Sequence, residues 1–137
     1  MKKSERQIEV LLESLIECEN IEKVIESLPR GYISVKVISG HTYYYRQWRE
    51  DKKIISAYVN ESYLNVVRQK IAIRKQNEQL LRIVKKDYRK ALKAVLKTGD
   101  VSLERIEQVE QKVKSFSEEE LADRVSAVNK LKADLLA

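Results

Sequence analysis

Two periods divide the chain. Between residues 4 and 28, apolar side chains recur three and four positions apart: Ile8, Leu11, Leu12, Leu15 and Ile16, then Ile21, Val24, Ile25 and Leu28. That is the spacing of one helical face. Ser4 with Gln7 three residues later fits a capping box at the start. The polar interval at Glu17, Glu19 and Asn20 fits one long helix or two with a joint near Asn20. Pro29 closes the segment, because the residue before proline avoids the α region.

From Gly31 to Val59 the period drops to two, the alternation of strands. Ser39-Gly40 is a two-residue hairpin signal. It pairs Ile38 with His41, Val37 with Thr42, Val35 with Tyr44 and Ile33 with Arg46. A second turn at Glu50 to Lys52, with Asp51-Lys52 as its loop, sets Trp48 against Ile55, Arg46 against Ala57, Tyr45 against Tyr58 and Gln47 against Ser56. One face then carries Ile33, Val35, Val37, Thr42, Tyr44, Arg46, Trp48, Ile55, Ala57 and Val59. The other carries Tyr32, Ser34, Lys36, Ile38, His41, Tyr43, Tyr45, Gln47, Arg49, Ser56 and Tyr58. A one-residue slip would exchange the faces of the third strand, so its placement rests on the second turn.

The helical period then returns. Asn60 suits an N-cap for a helix reaching about Leu96, with Leu64, Val67, Ile71, Leu81, Val84, Tyr88, Leu92 and Val95 as its apolar stripe. At ~1.5 Å per residue it would be roughly 50 Å long. The stripe weakens between Arg74 and Gln79, where the helix either breaks or projects as a coiled-coil arm. Thr98-Gly99-Asp100 ends it. A third helix follows on Leu103, Ile106, Val109 and Val113. Ser117 and Glu120 form a capping box for a fourth on Leu121, Val125, Val128, Leu131 and Leu135. The expected class is α+β: an N-terminal helical segment (1–29), a three-stranded antiparallel meander (30–59), a long basic helix (60–98) and two C-terminal amphipathic helices (99–137). This reads as one compact domain with a helical extension.

Charge sharpens this picture. The net +6 divides into −3 over residues 1–29, +4 over 30–59, +7 over 60–100 and −2 over 101–137. A basic middle between acidic ends is the footprint of a polyanion surface, although a solvated helix balanced by the acidic ends has the same composition.

Composition removes several chemistries. One cysteine, Cys18, allows no internal disulfide or multi-cysteine zinc site, and its acidic neighbours Glu17 and Glu19 are wrong for a reactive thiolate. The single histidine, His41, sits beside a turn with no Cys or Asp partner at catalytic spacing. No phosphate loop, dinucleotide fingerprint, metalloprotease pair or calcium loop is present. Glu104, Glu107 and Glu110 follow the spacing of a solvated helix face. No enzyme, metal or cofactor is expected. The N-terminus lacks a signal-peptide pattern and no run approaches a membrane span, so a cytoplasmic location is expected.

The second sheet face is the best candidate site. Lys36, Tyr43, Tyr45, Gln47, Arg49 and Tyr58 mix groups that contact phosphates, base edges and base faces. Arg68, Arg74, Lys75, Arg82 and Lys86 on the long helix extend the basic surface. The same tyrosines would also suit packing beneath a helix.

The stretch LPRGYISVKVISGHTYYYRQWREDKKIISAYV resembles a motif of small uncharacterised prokaryotic and mobile-element proteins. Leu28, Pro29, Gly31, Lys36, Gly40, Tyr43, Tyr44, Tyr45, Gln47, Arg49 and Glu50 carry it, with Ser56 and Tyr58 in the last strand. The resemblance covers about a third of the chain and implies no catalytic residue. At the level of fold, the sheet is similar to the three-stranded arm-binding domains of tyrosine recombinases and related plant transcription-factor domains. Those lay the sheet in the major groove. The long helix here departs from them, and no recombinase catalytic domain follows.

The expected function is non-enzymatic nucleic-acid binding by a phage or mobile-element protein. Two alternatives stand beside it. One is a phage-encoded anti-CRISPR-type inhibitor that binds a host defence nuclease or its guide-RNA complex. The other is a helical structural oligomer, a homodimer whose seam is Leu81, Val84, Tyr88, Leu92 and Val95.

Overall fold

The computed structural model describes residues 3–137. Helix α1 spans Lys3–Glu26, strands β1, β2 and β3 span Tyr32–Ile38, His41–Glu50 and Lys53–Val59, and α2 spans Leu64–Thr98. Helices α3, α4 and α5 follow at Leu103–Lys114, Glu118–Ala122 and Arg124–Leu136. The class is α+β, as the two periods predict. The chain divides into two units. One holds the described residues up to Lys23 together with Gln79–Ala137, and the other is Val24–Glu78.

The first unit contains the main core. Leu11, Leu12 and Ile16 of α1 are fully buried, as are Val95 of α2, Ile106 and Val113 of α3, Leu121 of α4, and Leu131 and Leu135 of α5. Burying each such side chain stabilises by about 1.5–3 kcal/mol. Helix starts fix the angles. Ser102 caps α3 by accepting from the Arg105 amide, and Ser117 caps α4 within a complete capping box. Val101 and Ile106, and likewise Phe116 and Leu121, stand just before the cap and four residues inside the helix. All four are buried in one core, the arrangement of hydrophobic staples. Ion pairs reinforce the packing: Lys132 meets Glu9 at 3.3 Å, Lys85 meets Glu22 at 3.5 Å, Arg124 meets Glu17 and Lys112 meets Asp134.

α1 is one helix that passes through Asn20 without a joint, the first of the two readings its polar interval allows. Two expectations require correction. Ser4 lies inside α1 and not at its cap. The expected fourth helix is two, because Asp123 leaves helical geometry at φ −92, ψ 84 and caps α5 by accepting from the Ser126 amide. The break resets the helical phase, so Val125 is exposed and Ala127 takes a core position. Of the five residues of the alternative dimer seam, Val95 is buried in this unit's core, with Tyr88 and Leu92 packed against it.

The second unit is built on the meander, in the order β1-β2-β3. Ser39 (φ 53) and Gly40 (φ 80) both adopt left-handed geometry, which suits the twist of a tight hairpin. The resulting register pairs Ile38 with His41 through Tyr32 with Gln47. The second turn, with Asp51 at φ 54, pairs Glu50 with Lys53 and Trp48 with Ile55. Both registers are those expected from the turns. Asn60 caps a short 3-10 turn, Glu61–Tyr63, by accepting from the Ser62 amide and hydroxyl, and the turn runs directly into α2. α2 is continuous through Arg74–Gln79.

Gly31 joins Pro29 to the sheet at φ +103, and a Cβ there would lie 2.0 Å from the Gln47 carbonyl oxygen. Gly40 has open space around it. Gly31→Ala is therefore expected to destabilise the sheet by at least about 3 kcal/mol, and Gly40→Ala by about 1 kcal/mol. Urea unfolding followed by Trp48 fluorescence measures both. Equal losses would contradict the close approach at Gly31.

Candidate nucleic-acid interface

Alternation along three registered strands brings the candidate side chains onto one surface. Lys36 stands opposite Tyr43, Tyr45 opposite Tyr58 and Gln47 opposite Ser56. Tyr45 is at the centre. The Lys36 ammonium lies 5.0 Å from its ring centroid, and the Tyr58 ring meets it edge-on at 5.9 Å and 70°. Gln47 Nε2 reaches Ser56 Oγ only at 3.5 Å, which leaves most of its hydrogen-bonding capacity unused. None of Lys36, Tyr43, Tyr45, Gln47, Arg49 and Tyr58 is buried, and Tyr58 is 60% exposed. The tyrosine face is thus open to solvent. Beside the expected Tyr32 and Ile38, the face also exposes Ile54, opposite Arg49.

The opposite face is held by arginine. The Arg46 guanidinium stacks 3.8 Å from the Trp48 ring centroid and donates to the Arg30 carbonyl at 2.8 Å. Partial burial, then the nearby Arg30 and Arg74 charges, lower its pKa.

The helical candidates separate into two kinds. Arg68 and Lys75 are exposed on the part of α2 in this unit. Arg74 is not a free cation. It donates to the Ile25 carbonyl at 2.9 Å and the Leu28 carbonyl at 2.6 Å, and pairs with Glu78 at 3.2 Å. Its work is to satisfy carbonyls at the end of α1, a role that no spacing in the sequence reveals. Arg82 and Lys86 are exposed but belong to the other unit. The sheet unit has ten Lys and Arg against five Asp and Glu, so it carries +5 of the chain's net +6.

The first unit has its own groove of about 680 Å³, lined by Leu15, Cys18, Tyr88 and Val113 and by charged residues of both signs, among them Glu19, Glu22, Lys85 and Arg89. Burial pushes the Cys18 thiol up from 9.0 to about 11, with Glu22, Glu17 and Glu19 adding to it and Lys85 opposing. Burial and Glu110 raise Tyr88, whose hydroxyl lies near that carboxylate but outside hydrogen-bond geometry. Among the described residues, no three His, Cys, Asp or Glu side chains gather as a metal site. No described helix is long and apolar enough to cross a membrane.

Residues 1–69, just over half of the chain, match the model of the family described as a domain of unknown function, DUF6788, and the chain belongs to that family. The match takes in α1, the whole sheet and the start of α2. No curated protein and no solved structure matches the chain.

Two outcomes follow from these placements. Arg74→Ala should destabilise the protein by about 1–3 kcal/mol, because charged hydrogen bonds to two carbonyls are lost from a partly exposed site. An unchanged urea midpoint would contradict this role. Cys18 should resist a disulfide reagent near neutral pH. Because its thiol stays protonated in the fold to about pH 11, stability should fall between pH 9 and 11, where only the unfolded chain has released the proton. Cys18→Ala should flatten that decline.

Proposed function

We propose that the protein is a non-enzymatic nucleic-acid-binding protein whose contact surface is the Lys36–Tyr45–Tyr58 face of the sheet, assisted by exposed cations of α2. The observation that carries this reading is the open aromatic–basic row on a unit with a net charge of +5. Tyrosine rings left in solvent beside a lysine offer π-faces to bases, each worth about 1–3 kcal/mol on a single strand. Lys36, Arg49, Arg68 and Lys75 offer charge to phosphates. The shared chemistry is a phosphate backbone with accessible bases, and duplex and single-stranded probes separate the two forms.

The test is a binding titration across salt concentrations with both probes. Affinity should fall log-linearly with salt, with a slope of about −0.9 per neutralised phosphate on duplex or −0.7 on single strands. Lys36→Ala with Arg49→Ala should reduce the magnitude of that slope by about 2. Tyr58→Ala should weaken single-strand binding about 5- to 150-fold if stacking dominates. Unchanged affinity in both variants would remove the sheet face from the interaction.

A further inference from the structure

The meander leaves β1 as an open edge, since among the described residues the sheet has only the order β1-β2-β3. The direction of its backbone groups follows from the turn. Residues flanking a two-residue loop exchange hydrogen bonds, so Ile38 pairs in this way with His41. Hydrogen-bonded and open pairs then alternate along an antiparallel ladder. Lys36, Ser34 and Tyr32 bond to β2, and Ile33, Val35 and Val37 turn their amides and carbonyls outward. All three are β-branched and apolar. Val35 is 53% exposed and Val37 70%. The edge has no proline, and its one charge, Lys36, belongs to the inward-bonding set. The usual protections of an edge strand are missing.

We propose that β1 is the interface with a second copy of this chain, joined antiparallel across a two-fold axis at Val35 into a six-stranded sheet. The sequence of β1 is self-complementary about that residue. An axis at Val35 opposes Val35 to its counterpart, Ile33 to Val37 and Ser34 to Lys36. All the outward amides and carbonyls find partners, one face is entirely apolar, and the two lysines are not opposed. An axis at Ser34 or Lys36 would use groups already bonded to β2, and the latter would also oppose like charges. Axes at Ile33 or Val37 shorten the seven-residue overlap. A free peptide strand would satisfy the backbone equally, but it has no reason to match this symmetry. The β3 edge turns Ile54, Ser56 and Tyr58 outward, with a serine at its centre.

Each sheet unit carries +5, so salt should strengthen this association, opposite to its effect on nucleic-acid binding. The experiment is sedimentation of the full chain over a concentration series at low and high salt, paired with oxidative cross-linking of single-cysteine variants in which Cys18 is replaced by Ala. A mass approaching twice 16.0 kDa, reached at lower protein concentration in high salt, is the expected result. Val35→Cys should form a covalent dimer, because a hydrogen-bonded pair places Cα atoms about 5.5 Å apart, within disulfide range. Val37→Cys, facing Ile33, and Ser56→Cys should not. Val35→Pro removes only outward hydrogen bonding and should sediment as a monomer with the Trp48 unfolding transition retained. A monomer at every concentration and salt, cross-linking through Ser56→Cys instead of Val35→Cys, or a folded Val35→Pro dimer would each overturn the proposal.

Discussion

The sheet unit depends on two arginines that hold the chain where it leaves α1 and enters β1. A helix end presents carbonyls with no intrahelical partner. Arg74 takes the carbonyl of Leu28, just beyond the helix, and shares that of Ile25 with the Leu28 amide, and its charge suits the negative end of the helix dipole. Arg46 takes the carbonyl of Arg30 and lies flat on Trp48. Gly31 lets the backbone pass against Gln47, where any side chain would collide. These polar contacts matter because apolar burial is scarce. Only Val59 and Ile71 of this unit belong to the buried apolar set. A small sheet with so little core depends on directional bonds for its placement, and its tyrosine face stays open.

The two units therefore use their side chains differently. The first buries leucine, isoleucine and valine from five helices and pairs its charges internally, as Lys132 does with Glu9. The second spends little of its apolar surface on folding and holds nearly all of the net charge. Family membership extends over α1, the sheet and the beginning of α2, and stops well short of α3 to α5. The open sheet and its supporting corner lie inside the matched region.

Strand register was legible because two-residue turns leave little freedom: once Ser39-Gly40 and Asp51-Lys52 are placed, every pair from Tyr32–Gln47 to Glu50–Lys53 follows. Buried helical stripes were legible for a similar reason, since period alone selects Leu12, Ile16 and Val95. Legibility failed where a single residue acts through tertiary context. Asp123 reads equally well as a helix surface residue or as a cap, and only packing selects the cap that moves Val125 outward. Arg74 has the spacing of a solvated cation, and its carbonyl partners are nearly fifty residues away. Tyr88, Leu92 and Val95 form an apolar seam in sequence, and α3 to α5 supply the core that occupies it.

The alternation that places side chains also ties each sheet edge to one face. In β1 the residues with outward backbone groups carry side chains on the face of Arg46 and Trp48. In β3 they carry side chains on the face of Tyr45 and include Tyr58 itself. A strand arriving at β3 would seat its neighbouring side chains beside the tyrosine platform and change its width and chemistry. A strand arriving at β1 would extend the valine side and leave Tyr58 untouched. The two rims are thus inequivalent ports: a strand at β3 bonds to residues whose own side chains stand on the aromatic surface, Tyr58 among them, whereas a strand at β1 bonds to residues of the opposite face and meets the aromatic surface through Lys36.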